Sequence, residues 1–382
     1  MNAVKKYSLL VFLIENLLAQ APMFGKSSWL FYLMLATGLV LLVSGGYLSN
    51  VSYRQCKPLH ILAFVYIAYQ FTLGFSTLNA RTVLYLLAKV TTFVIIGVSI
   101  MTDWDFYARK VPVYLSLVVA LILLFGINST LDLGSGERMN LGFGNPNSTS
   151  SLSAFALVGV LFFYDRKRPF LYITVGLMAL YAMLAGGGRN AILTLAVASL
   201  IWTGGSMKKG LAILLMLAAL WGATTVLSVE LSGVSRIKGT IDGSIGSNRD
   251  IEREAAIMMI EEKPITGWGF EAHNTGNAAA VSDLGSHNGY LETIKFMGYP
   301  FGGLFFVVLI LSSLSFMKYY KSTDLALRYH LAIVLSTLVS ALYEGLFVGV
   351  HEFSTNMVFY SLAVLSVYNY SVKHYEVEEL TA

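Results

Sequence analysis

Charge and cysteine are both scarce in this chain. Of its 382 residues, 13% are charged and 56% are hydrophobic, whereas soluble domains carry about 25% charged residues. Cys56 is the one cysteine, which excludes an intrachain disulfide and a metal centre built from several cysteines. So few polar residues cannot cover a soluble core. The formal net charge of +4 therefore concerns the sidedness of membrane loops and does not indicate nucleic-acid binding.

Apolar runs of roughly 15 to 24 residues recur along almost the whole length, which is typical of multi-pass helical membrane proteins. We therefore predict an all-α polytopic membrane protein, with residues 1–382 forming a single membrane-embedded domain of about twelve transmembrane helices. No internal repeat is evident. The predicted helices are 7–21, 28–48, 59–77, 82–101, 111–128, 150–164, 169–184, 190–203, 210–228, 288–316, 325–345 and 354–371.

The basic residues predict the orientation. Lys5 and Lys6 before an apolar run resemble a signal peptide, but Pro22 should block cleavage after the small residues at 19–21, so the first helix is expected to be retained. With the N-terminus inside, every inner loop is basic. This orientation places both termini in the cytoplasm.

A long outer loop is predicted at 229–287. Within it, Ser247 or Asn248 could cap a short amphipathic helix at about 248–262, which Pro264 would end. We expect this helix to lie against the membrane domain. The apolar residues expected at that contact are Ile251, Ala255, Ile257, Met258 and Met259.

Arginines on the predicted outer face are exceptions to the positive-inside rule. Arg138, Arg189 and Arg249 belong to this set. Arginine offers phosphate a planar fork of donors and stays charged when partly desolvated, and backbone N–H groups at the helix start after GGG could join Arg189 in an anion site. The alternative is a snorkelling or interfacial arginine. Several arginines on one face of a nearly charge-free membrane domain favour the anion site.

The stretch LGSHNGYLETIKFMG, residues 284–298, enters the membrane with ionisable groups. His287 could be the general base for an alcohol, and Asn288 could orient its ring or hold a substrate hydroxyl. The alternative is a structural histidine at a helix entrance, with Glu292 and Lys295 paired one turn along. Glu344 is predicted on the same side as a second acid or base, a neutral carboxylic acid, or the partner of an arginine.

Three further features were weighed. TDWDFY at 102–107 resembles the Asp-x-Asp metal motif of nucleotide-sugar glycosyltransferases, but Asp103 and Asp105 fall on the predicted inner face and are interpreted as a solvated helix end. Lys89 within the fourth helix either pairs inside the bundle or snorkels. GWGF at 267–270 is interpreted as a loop turn, because no parallel βαβ unit surrounds it.

Four segments, taken in order, resemble the O-antigen ligase/polymerase family of bacterial envelope glycosyltransferases. They cover roughly residues 135–310, while the first four helices match only in hydropathy. The family pattern places an arginine or a His-Asn pair in each segment. The segments are GERMNLGFGNPNSTSS with Arg138, GGGRNAILTLA with Arg189, SNRDIEREAAIMMIEEKPITGWGF with Arg249, and SHNGYLETIKFMGYPFGGLFF with His287.

The resemblance implies a lipid-phosphate-dependent (GT-C type) membrane glycosyltransferase. Its donor would be a glycan on undecaprenyl diphosphate, presented at the outer face of the bacterial inner membrane. Arginines would neutralise the leaving diphosphate, so neither a metal nor another cofactor is expected. The resemblance implies Arg138, Arg189 and Arg249 for the diphosphate and His287 as the base. The candidate site is completed by Asn288 and Glu344 for catalysis and by Asn145, Asn147, Asn190 and Tyr290 for substrate.

Three functions are weighed. The leading one is a polymerase that joins carrier-linked repeat units into O-antigen, capsule or exopolysaccharide, because the compact outer loops show no appended acceptor domain. A ligase, which transfers the finished glycan to lipid A–core or to a protein hydroxyl, would share the same chemistry. A lipid-linked oligosaccharide flippase would more commonly show internal repeats and midplane charges. The expected partners are the lipid-linked oligosaccharide and membrane lipid, with a chain-length regulator protein as a candidate.

Overall fold

A computed structural model gives the fold. The described part of the chain is helical and contains no strand. Arg138, His351 and the predicted helix 210–228 lie outside it. It comprises residues 2–22, 28–72, 80–127, 139–206, 208, 249–270, 276–282, 285–350 and 352–381.

The helices are numbered here in chain order. A π-helical turn, Phe106–Lys110, leads into α6, and a 3-10 turn, Met317–Lys321, follows α12. The bounds are α1 Asn2–Ala19, α2 Ser28–Ser44, α3 Asn50–Gln55, α4 Lys57–Thr72, α5 Ala80–Thr102, α6 Val111–Ile127, α7 Pro146–Phe163, α8 Pro169–Gly186, α9 Arg189–Thr203, α10 Arg249–Glu262, α11 Gly276–Val281, α12 Gly289–Ser315, α13 Leu325–Ser340 and α14 Phe353–Thr381.

Five helical stretches of the described chain are long and apolar enough to cross a membrane, and three shorter helices are also apolar. The all-helical character is confirmed, and the long apolar helices agree with a multi-pass membrane protein. A count of twelve spans stays a prediction. The five long stretches are Val83–Thr102, Phe106–Gly126, Pro146–Phe163, Pro169–Gly186 and Gly289–Lys321.

Several charged residues that are predicted on the inner face form ion pairs with one another. Lys6 lies 2.8 Å from Asp103, and Arg109 lies 2.8 Å from both Asp105 and Asp324. Both aspartates of the TDWDFY stretch are therefore paired with cations at one end of the bundle. Their contacts agree with a helix end and not with a metal motif.

Helix α7 begins four residues before the predicted start. Asn145 has an extended backbone and caps the helix, because its Oδ1 accepts the Ser148 N–H at 2.8 Å. Pro146 occupies the first helical position, where its missing N–H costs nothing. The Asn-Pro-Asn stretch therefore forms a helix start, which places Asn147 in the first turn.

The predicted continuous helix 288–316 is broken in the structure. Gly298 has φ 69° and ψ 171°, a conformation that is essentially restricted to glycine. Pro300 follows, and the Tyr299 N–H donates to the Pro264 carbonyl at 2.7 Å. The first half of α12, which holds the ionisable residues, is thus separated from the apolar second half.

The Gly-Trp-Gly-Phe turn at 267–270 forms hydrogen bonds with the residues just before the break in α12. The Trp268 N–H donates to the Lys295 carbonyl and the Gly269 N–H to the Phe296 carbonyl, both at 3.0 Å. A helix break frees carbonyl groups, and buried carbonyls need donors. The turn, which was predicted as a loop, supplies two of those donors and so stabilises the broken helix.

Helix α10 confirms the predicted short helix, but its buried face differs from the prediction. Ala255 and Met259 pack against Ala278 of α11 and Trp268, and the Trp268 Nε1–H donates to the Met259 carbonyl at 2.7 Å. Glu252 lies on the same buried face. The inward stripe therefore consists of two alanines, Met259, Ile260 and an acid.

The expectation that all five apolar residues of α10 contact the membrane domain is wrong for three of them. Ile251, Ile257 and Met258 are 48%, 43% and 37% exposed. The buried residues recur at helical spacing from position 252 and not from position 251. The face was misassigned because Glu252 was not expected to point inward.

The end of α13 also differs from the prediction. The helix ends at Ser340 and not at 345, and residues 341–350 form an irregular connection that leads towards α14. Within it, Phe347 has φ 78°, and its N–H donates to Thr355 Oγ1 at 2.8 Å. Glu344 therefore lies on a shaped connection, outside the helix.

We predict that Gly298→Ala destabilises the protein by more than about 1–3 kcal/mol, the usual range for one strained residue. A Cβ at this position would also lie 2.2 Å from the Ile265 carbonyl oxygen. The measurement is the thermal unfolding temperature in detergent. Gly303→Ala is the matched control in the same helix, because a Cβ there meets nothing within 4 Å. Equal unfolding temperatures for the two variants would contradict the importance of the break.

Candidate active site

His287 lies between two carboxylates. Its Nε2 is 3.9 Å from Glu252 Oε2, and its Nδ1 is 3.9 Å from Glu344 Oε2. The side chain is 39% exposed. Glu344 raises the pKa of His287, with a further contribution from Glu252, while burial and Arg249 oppose this rise. The imidazole is therefore a stronger base than an isolated histidine.

Arg249 joins this group from the first turn of α10. One of its guanidinium nitrogens lies 3.5 Å from Glu344 Oε1. Of the alternatives weighed for Glu344, the arginine partner is thus the one that the contacts display. The Arg249 guanidinium, the Glu344 carboxylate, the His287 imidazole and the Glu252 carboxylate therefore follow one another in space.

The segment that carries His287 is held by the start of α12. Glu292 Oε1 accepts the Ser286 N–H at 2.6 Å, and Glu292 also pairs with Lys295 at 2.8 Å. The Glu292–Lys295 pair, which the structural alternative for His287 predicted, is present. The hydrogen bond from Ser286 holds the backbone next to His287, which adopts φ 47°, a value that histidine and asparagine tolerate better than most residues.

Asn288 is used by the helix itself. Its Oδ1 accepts the N–H groups of Tyr290 and Leu291 at 3.0 and 3.1 Å, and its Nδ2 donates to the Leu342 carbonyl at 3.3 Å. The Tyr290 hydroxyl donates to the Leu338 carbonyl at 2.8 Å. Both side chains thus have structural partners, and neither lines the cavity beside His287. A substrate contact for either remains a prediction.

A polar cavity of about 160 Å³ opens beside His287. A single water needs only about 10–15 Å³ of such space, so a much larger ligand fits. The cavity wall combines amide and hydroxyl groups of α7, α9 and α13 with residues of the connection between α13 and α14. The predicted residues that line it are Asn145, Asn147, Asn190, His287 and Glu344.

Asn190 has an unsatisfied group at this wall. Its Nδ2 donates to Ser151 Oγ at 2.8 Å, whereas its buried Oδ1 accepts no hydrogen bond from any described residue. The residue is 6% exposed. A buried acceptor without a partner is costly, so this oxygen is a local site of unfavourable energy within the wall.

Arg189, the second predicted arginine, is placed differently from Arg249. Arg189 begins α9 and is half-buried, but it is not among the described residues that line the cavity. Before it, the Gly188 N–H donates to Ser150 Oγ at 2.8 Å, and a Cβ at position 188 would lie 2.8 Å from that of Ser150. Glycine is thus required by the close approach of α7. Arg138 lies outside the described residues.

Sequence reasoning missed one carboxylate near the imidazole. Glu252 follows Arg249 by three positions and turns inward. An acidic residue one turn after the motif arginine could have drawn attention to it. Glu352 was predicted on the outer side with Glu344, without a role, and it lines the same cavity as Glu344. Within the described part of the chain, no group of three or more His, Cys, Asp or Glu side chains is arranged to hold a metal ion.

Fold and site together define a multi-pass helical membrane protein with a histidine-centred polar cavity. Residues 173–307 match the family model described as O-antigen ligase, and this match supports membership of the O-antigen ligase/polymerase family. The matched region runs from α8 into α12 and includes Arg189, Arg249 and His287. No curated protein matches the chain at a significant level.

We predict that Glu344→Gln lowers the pKa of His287, because it removes the carboxylate that raises this pKa most and leaves Arg249 close by. The neutral imidazole should then persist to lower pH than in the unmodified protein. The measurement is an NMR titration of labelled histidine, with the His287 signal assigned by its loss in His287→Asn. Glu262→Gln, at the exposed end of α10, should leave the titration unchanged. An unaltered or raised value in Glu344→Gln would contradict the geometry.

Proposed function

We propose that this protein is a polysaccharide polymerase that transfers a glycan from undecaprenyl diphosphate to a sugar hydroxyl of another carrier-linked repeat unit. The observation that supports it best is the imidazole held between two carboxylates at the edge of an amide- and hydroxyl-lined cavity. Such a lining suits a carbohydrate, and such an imidazole suits a base that acts on an alcohol.

In the proposed reaction His287 takes the proton of the acceptor hydroxyl. The hydroxyl oxygen forms a bond to the anomeric carbon of the donor, and the bond from that carbon to the phosphate oxygen breaks. The electron pair leaves with the diphosphate. The imidazolium that forms is stabilised by Glu344 and Glu252, which lie 3.9 Å from its two nitrogens.

The leaving diphosphate needs positive charge. Arg249 is the arginine nearest to this chemistry, because it contacts the same carboxylate that contacts His287. Arg189 and Arg138 complete the proposed diphosphate site. Fixed guanidinium groups stabilise charge that develops on the leaving group, which is the basis for proposing transfer without a metal ion.

Ligation to lipid A–core is the second candidate. The matching family model is described as O-antigen ligase, and both reactions require the same base and the same leaving-group site. The difference lies in the acceptor. The compact outer loops of the sequence favour a second carrier-linked unit over a large separate acceptor.

The deciding experiment incubates purified protein with a defined carrier-linked repeat unit, in parallel with and without lipid A–core and with a chelator. We expect a ladder of products in the absence of lipid A–core, and no loss of activity with the chelator. Product only when lipid A–core is present would establish a ligase. No transfer under either condition would overturn the glycosyltransferase proposal, and loss restored by magnesium would overturn metal independence.

His287→Asn should lower kcat by about 10²–10⁴-fold, the range that a general base contributes. Asparagine tolerates the left-handed backbone of this position, so the variant should fold. The checks are single-turnover transfer and the thermal unfolding temperature, with Glu262→Gln as the control that keeps wild-type rates. Full activity in a folded His287→Asn protein would remove His287 from the mechanism.

A further inference from the structure

Glu352 lies in the cavity but has no part in the proposed proton transfer. It immediately precedes α14 and lines the same space as His287 and Glu344. Its Oε2 accepts the Thr355 hydroxyl at 2.6 Å, and this is the one hydrogen bond that its carboxylate makes to described residues. A carboxylate that lines a cavity in this way can accept further hydrogen bonds from a ligand.

Lys89 holds the connection on which Glu352 lies. Its buried Nζ donates to the carbonyls of Phe347 at 3.2 Å and Gly349 at 2.8 Å, and the Tyr85 hydroxyl donates to the Val348 carbonyl. Lys89 therefore pairs inside the bundle and does not snorkel. Its ammonium faces backbone oxygens behind the cavity wall, so a ligand inside meets the carboxylate first.

A second polar residue lines the same cavity. Asn190 lies there together with Glu352, and its Oδ1, which is enclosed in the wall, has no hydrogen-bond donor among the described residues. The Glu352 carboxylate accepts donors from a ligand. Sugar hydroxyls can supply such donors, whereas a ligand carboxylate cannot.

We infer that Glu352 is a specificity-determining residue of a sugar subsite, in which its carboxylate, beside Asn190 of the cavity wall, accepts hydrogen bonds from hydroxyls of a neutral hexose unit. The subsite discriminates against hexuronates, because a ligand carboxylate would face the carboxylates of Glu352 and Glu344 at close range. Arg249 and Lys89 compensate these charges from outside the cavity wall, and neither lines the cavity. This inference rests on the proposed function, since it identifies the sugar class used there.

The test measures binding without any transfer. Full-length protein in detergent is titrated with paired methyl glycosides that differ only at C6, namely glucoside against glucuronide and galactoside against galacturonide, by saturation-transfer NMR. Burial raises the pKa of Glu352 to about 7, so the pH is held about one unit higher to keep the carboxylate ionised. The variants are Glu352→Gln, which preserves the shape, and Glu262→Gln as the control.

We expect a neutral glycoside to bind at least about tenfold more tightly than its uronate partner, as for one unfavourable charge contact in a partly buried site. Glu352→Gln should reduce that ratio several-fold, and Glu262→Gln should leave it unchanged. Equal binding of uronate and neutral glycoside, an unchanged ratio in Glu352→Gln, or binding of no glycoside would overturn the inference.

The result is separable from that of the transfer assay. A protein that binds neutral glycosides selectively but transfers nothing from the lipid carrier would retain this subsite and lose the proposed function. A protein that transfers glycan but shows no charge selection would retain the function and lose the role assigned to Glu352. Thermal unfolding of Glu352→Gln checks that the connection still folds.

Discussion

The site depends on the electrostatic pairing of His287 with Glu252 and Glu344. The two carboxylates come from α10 and from the connection after α13, so the pairing exists only when these elements dock on the start of α12. Buried charge that lacks a partner is strongly unfavourable. The pairing therefore also stabilises the arrangement that positions the base, and Arg249 extends it by contacting Glu344.

The break in α12 makes this docking possible. The turn at 264–269 lies directly after α10 and donates to carbonyls of the first half of α12. The same hydrogen bonds that satisfy the broken helix consequently hold α10 beside His287. Gly298 permits the break because its backbone conformation excludes other residues. The hydrogen bonds between the turn and α12 thus satisfy the carbonyls freed by the break and also position α10 beside His287.

Much of this was predictable from the sequence, because hydropathy and local motifs determined it. The all-helical class followed from the apolar runs, and His287, Asn145, Asn147 and Asn190 were identified within motifs that the structure brings to one cavity. The cap at Asn145 could also have been predicted, because Asn followed by Pro is a helix-start pattern. Instead the start was placed four residues late.

The remainder depends on tertiary contacts that no local pattern reveals. Residues 341–345 were predicted as the end of a helix, yet they begin an irregular connection whose carbonyls at 347–349 accept hydrogen bonds from Lys89 and Tyr85 of α5. Gly345 and Gly349 were the available hints of irregular backbone. The buried face of α10 was misassigned because Glu252 points inward toward an imidazole that is distant in sequence.

In the proposed reaction the enzyme must bind two ligands that need opposite kinds of partner group. A diphosphate needs guanidinium donors, whereas the attacking sugar needs acceptors for its hydroxyl protons. The described residues are arranged accordingly: Arg249 lies on α10, and the cavity is lined by Asn190 and by the carboxylates of Glu344 and Glu352. His287 lies where the two regions meet, through Glu344. A base placed there can receive the acceptor proton without exposing the diphosphate to the carboxylates, because Glu344 is already paired with Arg249.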